Sequence, residues 1–154
     1  MVRHIIAVLF AASALSVEAN WRPNEKLLAA VRQIESSNGL MQHGDNGRSL
    51  GQFQLSEAAW MDVSAWRKTR GLKTYSYDQH VFHYTISKAY AADYLALLRG
   101  ELIKKLKRQP SVAEIYAAYN MGLGTFAECD YKLSRVNPTT KKKAHQVQAL
   151  ASRS

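Results

Sequence analysis

Apolar residues return at helical spacing through most of this chain and almost nowhere at the spacing of a strand. The longest such stretch runs from about Asp78 to Lys107, with Phe82, Ile86, Ala89, Tyr90, Leu97 and Leu98 at that spacing. A repeat of three to four residues is that of a helix with one buried face, and Gly100 is where this one is expected to bend or split. From about Asn24 to Ser37, Leu27, Leu28, Val31 and Ile34 share a face, and Gly39 is a stop signal. Another helix opens at Ser56, carries Ala59, Trp60, Val63 and Trp66 inward, and ends near Gly71. Ser111-Val112-Ala113-Glu114 is a capping box that starts a further helix, which Asn120 to Gly124 must end. A weaker helix closes the chain from Thr139 to Ala151. Only Leu50 to Leu55 alternates, with Phe53 and Leu55 set against Gln52 and Gln54. These patterns predict a mainly α fold of the α+β kind: one helical domain with a small irregular or β-like insert between its first two helices.

The first 19 residues are expected to lie outside that domain. Arg3 and His4 precede an apolar run of 11 residues from Ile5 to Leu15, and Val17-Glu18-Ala19 puts small residues at the minus-three and minus-one positions of a cleavage site. That is the pattern of a secretory signal peptide, too short to span a bilayer. Export to the periplasm or the medium is expected, with no stable membrane anchor, and a domain over residues 20–154. A chain of that length builds one core and not two. Loss of Arg3 and Glu18 leaves 20 basic and 11 acidic residues, so the net charge stays at +9. Such a charge favours an anionic partner without choosing among cell-wall polymer, phospholipid and nucleic acid. Cys129 is the only cysteine, so no internal disulfide can form and stability must come from the core. Nothing near Cys129 marks it as an activated thiolate.

Glu35 falls in the last turn of the first predicted helix, where the negative end of the macrodipole disfavours a second negative charge. Were Ile34 and the Phe53 segment also to shield it from water, its proton would be held more tightly. A carboxylic acid that keeps its proton near neutral pH is suited to protonating a leaving oxygen. The loop that follows, Gly44-Asp45-Asn46-Gly47, can turn sharply. Gly51-Gln52-Phe53-Gln54 then offers two amides that can both donate and accept. Far along the chain, Ala118-Tyr119-Asn120-Met121-Gly122 puts a phenol and an amide at a helix end. Together these three segments describe a polar groove.

The order Glu35-Ser36, then Gly51-x-x-Gln54, then Ala118-Tyr119-Asn120-x-Gly122 resembles the motif set of soluble lytic transglycosylases. The Gly44-Asp45-x-Gly47 turn resembles the corresponding loop of goose-type lysozymes, in the same lysozyme-like superfamily. The likeness spans roughly residues 27 to 126. It implies a lysozyme-like fold with the insert beside an active-site cleft. It implies Glu35 as catalytic acid/base, Gln54 as support for substrate and cleft floor, Tyr119 bonded near the catalytic carboxyl, and Asn120 holding the cleft or touching sugar. Ser36 would order the site, and is grouped with these as a substrate-side residue. The family usually carries Leu-Met where this chain has Gln52-Phe53. The implied substrate is the peptidoglycan glycan strand, cut at the MurNAc-GlcNAc β-1,4 bond by a monomeric enzyme without cofactor.

Two chemistries fit one acid. An inverting hydrolase needs a second carboxylate roughly 6.5–9.5 Å from the first, and Asp45 is the candidate. A transglycosylase needs none: the substrate's acetamido group stabilises the developing cation, and the deprotonated Glu35 takes the proton of the muramoyl 6-hydroxyl, leaving a 1,6-anhydro end. Turn formation by Asp45 through its own backbone tips the balance to the second route. His80 and His83 lie three apart beside Asp78, but zinc needs three or four well-spaced ligands, so no metal is expected. His43 and His145 are expected at the surface. Lys104, Lys105, Lys107, Arg108 and Lys141 to Lys143 are expected on solvated helix faces. Trp21, Tyr75, Tyr77 and Tyr131 are left free to line a groove. A non-enzymatic binder of wall polymer or other polyanion is the remaining alternative. It has no use for an acid in its cleft, and export counts against nucleic acid.

Overall fold

The computed structural model describes residues 20–153, the side chain of Asp45 excepted. The expected leader lies outside the described residues. Helix α1 spans Glu25–Ser36 and starts where Asn24 Oδ1 accepts from Leu27 N at 2.9 Å. It ends at Ser36, three residues before the predicted stop at Gly39. Ser37 and Asn38 both take left-handed backbone, φ 50° and 61°, and carry the chain off the helix before Gly39.

The insert follows as three antiparallel strands of two residues each: β1 (His43–Gly44), β2 (Ser49–Leu50) and β3 (Leu55–Ser56), in the order β1-β2-β3. A 3-10 turn, Asp45–Gly47, joins β1 to β2, with Gly44 opposite Ser49 and Leu50 opposite Leu55. The alternation from Leu50 to Leu55 is therefore not one strand but two strand ends around a tight turn. Gly51 has φ 76°, and a Cβ there would collide with the Val81 carbonyl. Phe53 is buried because the turn pushes it into the core, a placement that mimics a period of two.

Helix α2 spans Glu57–Lys68 and is capped by Ser56, whose Oγ accepts from Ala59 N at 3.2 Å. The single long helix expected from Asp78 is two: a turn, α3 (Tyr77–His80), and α4 (Tyr84–Leu106). The chain breaks at Val81 to bury that side chain, which leaves Phe82 44% exposed rather than inward. Gly100 does not split α4. Its core face is Tyr90, Tyr94, Leu98 and Leu102 with Ala91 and Leu95, a four-residue repeat that packs one turn over the next; Ala89 is exposed and Ile86 and Leu97 are half-buried.

Helix α5 (Val112–Met121) carries the predicted capping box: Ser111 Oγ accepts from Glu114 N and Glu114 Oε2 accepts from Ser111 N. Every residue from Ala113 to Tyr119 is buried, so α5 is the central element. It packs against α4, against a short unpredicted helix α6 (Leu123–Glu128) and against α7 (Pro138–Ala151), which also covers α1. Glycine at 122, φ 83°, makes the turn between α5 and α6.

Aromatic packing stands in for covalent ties. The Trp60 and Tyr90 rings stack at 3.7 Å, both fully buried, and Trp60 Nε1 donates to Tyr75 O at 2.8 Å. Tyr77 donates to Leu55 O at 2.8 Å and Tyr131 sets its ring edge-on to Phe126. Tyr75, Tyr77 and Tyr131 thus brace the fold instead of lining a groove. Trp66, predicted inward, is half-buried beneath the Arg70 guanidinium, 3.8 Å from its centroid. Cys129 is half-buried, its thiol 3.6 Å from Arg135 O. Among the described residues no helix is long and apolar enough to cross a membrane.

Candidate active site

Glu35 is the penultimate residue of α1, and its side chain is 7% exposed. It lines a trough of about 260 Å³ between the β insert and the C-terminal end of α5. Gln54, Tyr119 and Asn120 line the same trough, as do Arg48, Ser49 and Tyr94. Three segments distant in sequence therefore meet at one carboxyl. Among the described residues Glu35 is the only carboxylate in the lining.

The carboxyl is held from two further helices. Tyr116 on α5 donates its hydroxyl to Glu35 Oε1, and Asn120, one turn on, donates Nδ2 to the same oxygen at 3.3 Å. Lys143 on α7 sets Nζ 3.9 Å from Oε2. Burial and the end of the α1 dipole disfavour negative charge on Glu35. The phenol, the amide and the ammonium all favour it. The expected half-hidden acid is there, but its partners oppose the dehydrated environment that was to keep it protonated. Burial first, and then the Glu35 carboxylate, push the Tyr116 phenol far above its ordinary value, so it stays a donor wherever the fold persists.

The hydroxyl expected beside the carboxyl from Tyr119 comes instead from Tyr116. Tyr119 is buried and donates to Phe53 O at 2.6 Å, tying α5 to the turn of the insert. Burial raises its pKa well above the ordinary value too. The 116-119-120 spacing is one helix turn, so Tyr116 was legible as a face-mate of the two motif residues.

Ser36 sits beneath the trough, 1% exposed. Its hydroxyl donates to Gln52 O at 2.7 Å and to Arg32 O at 3.0 Å, and accepts from Gly39 N at 2.9 Å. It orders the site by pinning the insert to the end of α1 and is too enclosed to meet a substrate. Gln54 takes left-handed backbone, φ 49°, and donates Nε2 to Gly51 O at 2.7 Å. A Cβ at Gly44 would strike Gln54 Oε1, so a side chain there would displace this amide. Gln52, polar where the resembled family is apolar, accepts from Arg32 Nε at 2.5 Å. A local guanidinium thus satisfies the amide, and Phe53 supplies the apolar plug.

Asp45 belongs by its backbone to the 3-10 turn beside Arg48 and Ser49; its side chain lies outside the described atoms. His80 bonds within its own turn to Ser76, and no cluster of three or more metal-ligating side chains occurs among the described residues. His43 rests on Phe82 at 5.3 Å. Of the basic groups expected on solvated faces, Arg108 makes a two-pronged bond to Glu114, and Lys143 turns inward. Comparison with protein-family models, curated proteins and solved structures gave no match to this chain.

Proposed function

We propose that this chain cleaves the glycan strand of peptidoglycan at the MurNAc-GlcNAc β-1,4 bond, with Glu35 as acid and then base. The observation that carries the proposal is a nearly buried carboxyl at the end of α1, the one carboxylate among the described residues that line an open polar trough. A proton leaves Glu35 for the glycosidic oxygen as the C1–O bond breaks. The sugar's acetamido group supports the positive charge at C1, and Glu35 recovers a proton from the muramoyl 6-hydroxyl as the C1–O6 bond closes. Gln54 and Asn120 offer amides to hydroxyl and acetamido groups along the trough. Hydrolysis with Asp45 as second carboxylate is the alternative outcome of the same test.

Peptidoglycan digested with the purified protein and examined by mass spectrometry tests this. Anhydro ends are expected; reducing ends would assign hydrolysis and give Asp45 a role. Glu35→Gln should abolish cleavage while leaving wall binding largely intact. Cleavage that survives Glu35→Gln defeats Glu35 as the acid/base, and wild-type protein that binds wall without cleaving it is left as a wall-binding protein.

A further inference from the structure

The run Lys141-Lys142-Lys143 has the look of a solvated stripe, yet its members differ. Lys141 and Lys142 are exposed, whereas Lys143 is half-buried with its ammonium at the Glu35 carboxyl. The two carboxyl oxygens have separate partners: Oε1 accepts from Tyr116 and Asn120, and Oε2 faces Lys143.

That placement is built, not incidental. Asn137 caps α7 by accepting from Thr140 N at 2.9 Å. Thr140 is 4% exposed and donates Oγ1 to Asn120 Oδ1 at 2.8 Å, and Asn120 in turn donates to Glu35. The start of α7 is thus locked to the catalytic end of α5. Lys143 stands three residues beyond Thr140, one turn along the same face, which delivers its ammonium to the carboxyl.

We propose that Lys143 is a positioning residue that holds Glu35 as a carboxylate between proton transfers, and so sets the pH range in which Glu35 can act as an acid. The proposal rests on Glu35 being the acid/base of the reaction proposed above. Among the described side chains, the titratable and charged groups that face Glu35 include Tyr116 and Tyr119 from α5, Lys143 from α7 and, across the trough from the insert, Arg48. The phenols stay neutral, and the Lys143 ammonium pairs with the carboxyl at 3.9 Å. A cation at this range makes a carboxyl release its proton at lower pH. It disfavours the protonated form needed to start the reaction and stabilises the anion needed to finish it, so cleavage should be fastest on the acid side of neutrality.

Two readouts test the role. One follows the Glu35 carboxyl carbon by NMR as pH is varied; the other follows the rate of peptidoglycan cleavage against pH. In Lys143→Met the carboxyl should hold its proton to higher pH, its midpoint rising by about one unit. The alkaline limb of the rate profile should rise with it. Lys143→Arg, which keeps the charge, should restore both to within a few tenths of a unit. An unmoved midpoint in a Lys143→Met protein with native circular dichroism overturns the proposal. Should that variant fail to fold, Lys143→Gln is followed by the same two readouts, and an unmoved midpoint there overturns the proposal equally. Wild-type protein that cleaves no glycan at any pH removes the enzymatic reading alone, because the carboxyl titration still reports the pairing.

Discussion

Tyr116→Phe isolates the best-defined contact at the site. Tyr116 is fully buried, so phenylalanine keeps the ring and its packing and removes only the hydroxyl. The lost bond runs to a carboxylate, a class worth about 1.5–3 kcal/mol. Asn120 at 3.3 Å remains as the weaker donor to the same oxygen, and a loss of about 2 kcal/mol is expected at neutral pH. Once Glu35 is protonated the bond joins two neutral groups and is worth about 1 kcal/mol. Urea denaturation of wild type and variant, near neutrality and again at about pH 2.5, where unperturbed carboxyls are protonated, reads both values. Other acid-labile contacts, such as Arg108–Glu114, fall equally in both proteins and cancel in the difference. A destabilisation equal at both pH values, or below about 0.5 kcal/mol at neutrality, would mean that Tyr116 does not support a carboxylate.

Trp60→Ala should cost about 3–5 kcal/mol in the same assay, because it empties the largest fully buried side chain among the described residues and leaves the Tyr75 carbonyl only the longer bond from the Tyr90 hydroxyl at 3.4 Å. Alkali should unfold the protein as its phenols ionise. Tyr94 is pushed up to about 12, chiefly by burial and secondarily by Asp62. Its contribution is complete below the ordinary tyrosine value and lost above it, about 2 kcal/mol by about pH 12. Phenolate absorbance and loss of helix should therefore rise together. At the acid end, the Arg108 guanidinium and then the Ser111 backbone bond hold the Glu114 carboxyl below its usual range. That stability is present above the ordinary carboxylate value and lost as pH falls through the depressed one. Glu114→Gln should flatten this acid dependence by no more than about 1 kcal/mol, since Arg108 is half-exposed.

Local signals read well from the sequence where the chain settles its own hydrogen bonds. Ser56 and Ser111, expected as helix starts, each cap a helix with a side chain placed by its immediate neighbours, and Asn24 does so at its expected start. The cap by Asn137 lies ahead of the start expected at Thr139. Tertiary demand overrode the pattern elsewhere. The Leu50–Leu55 alternation hid a turn because Phe53 is drawn into the core, and the helix from Asp78 was interrupted because Val81 is needed inside. Gln54, Tyr119 and Asn120 were legible as trough residues. Tyr116 was visible only as their helical face-mate. Lys143 carried no signal at all, since a lysine run has the same sequence whether one member faces water or a carboxyl 108 positions away.

Helix spacing, capping and the lone glutamate at a helix end are properties of neighbouring residues, and the amino-acid order was enough to determine them. Which phenol meets that glutamate, and that an ammonium from the last helix balances it, depended on how α1, α5 and α7 pack. Packing brings distant segments to within a few ångströms, and at that range charge and hydrogen bonding act through space and not along the chain.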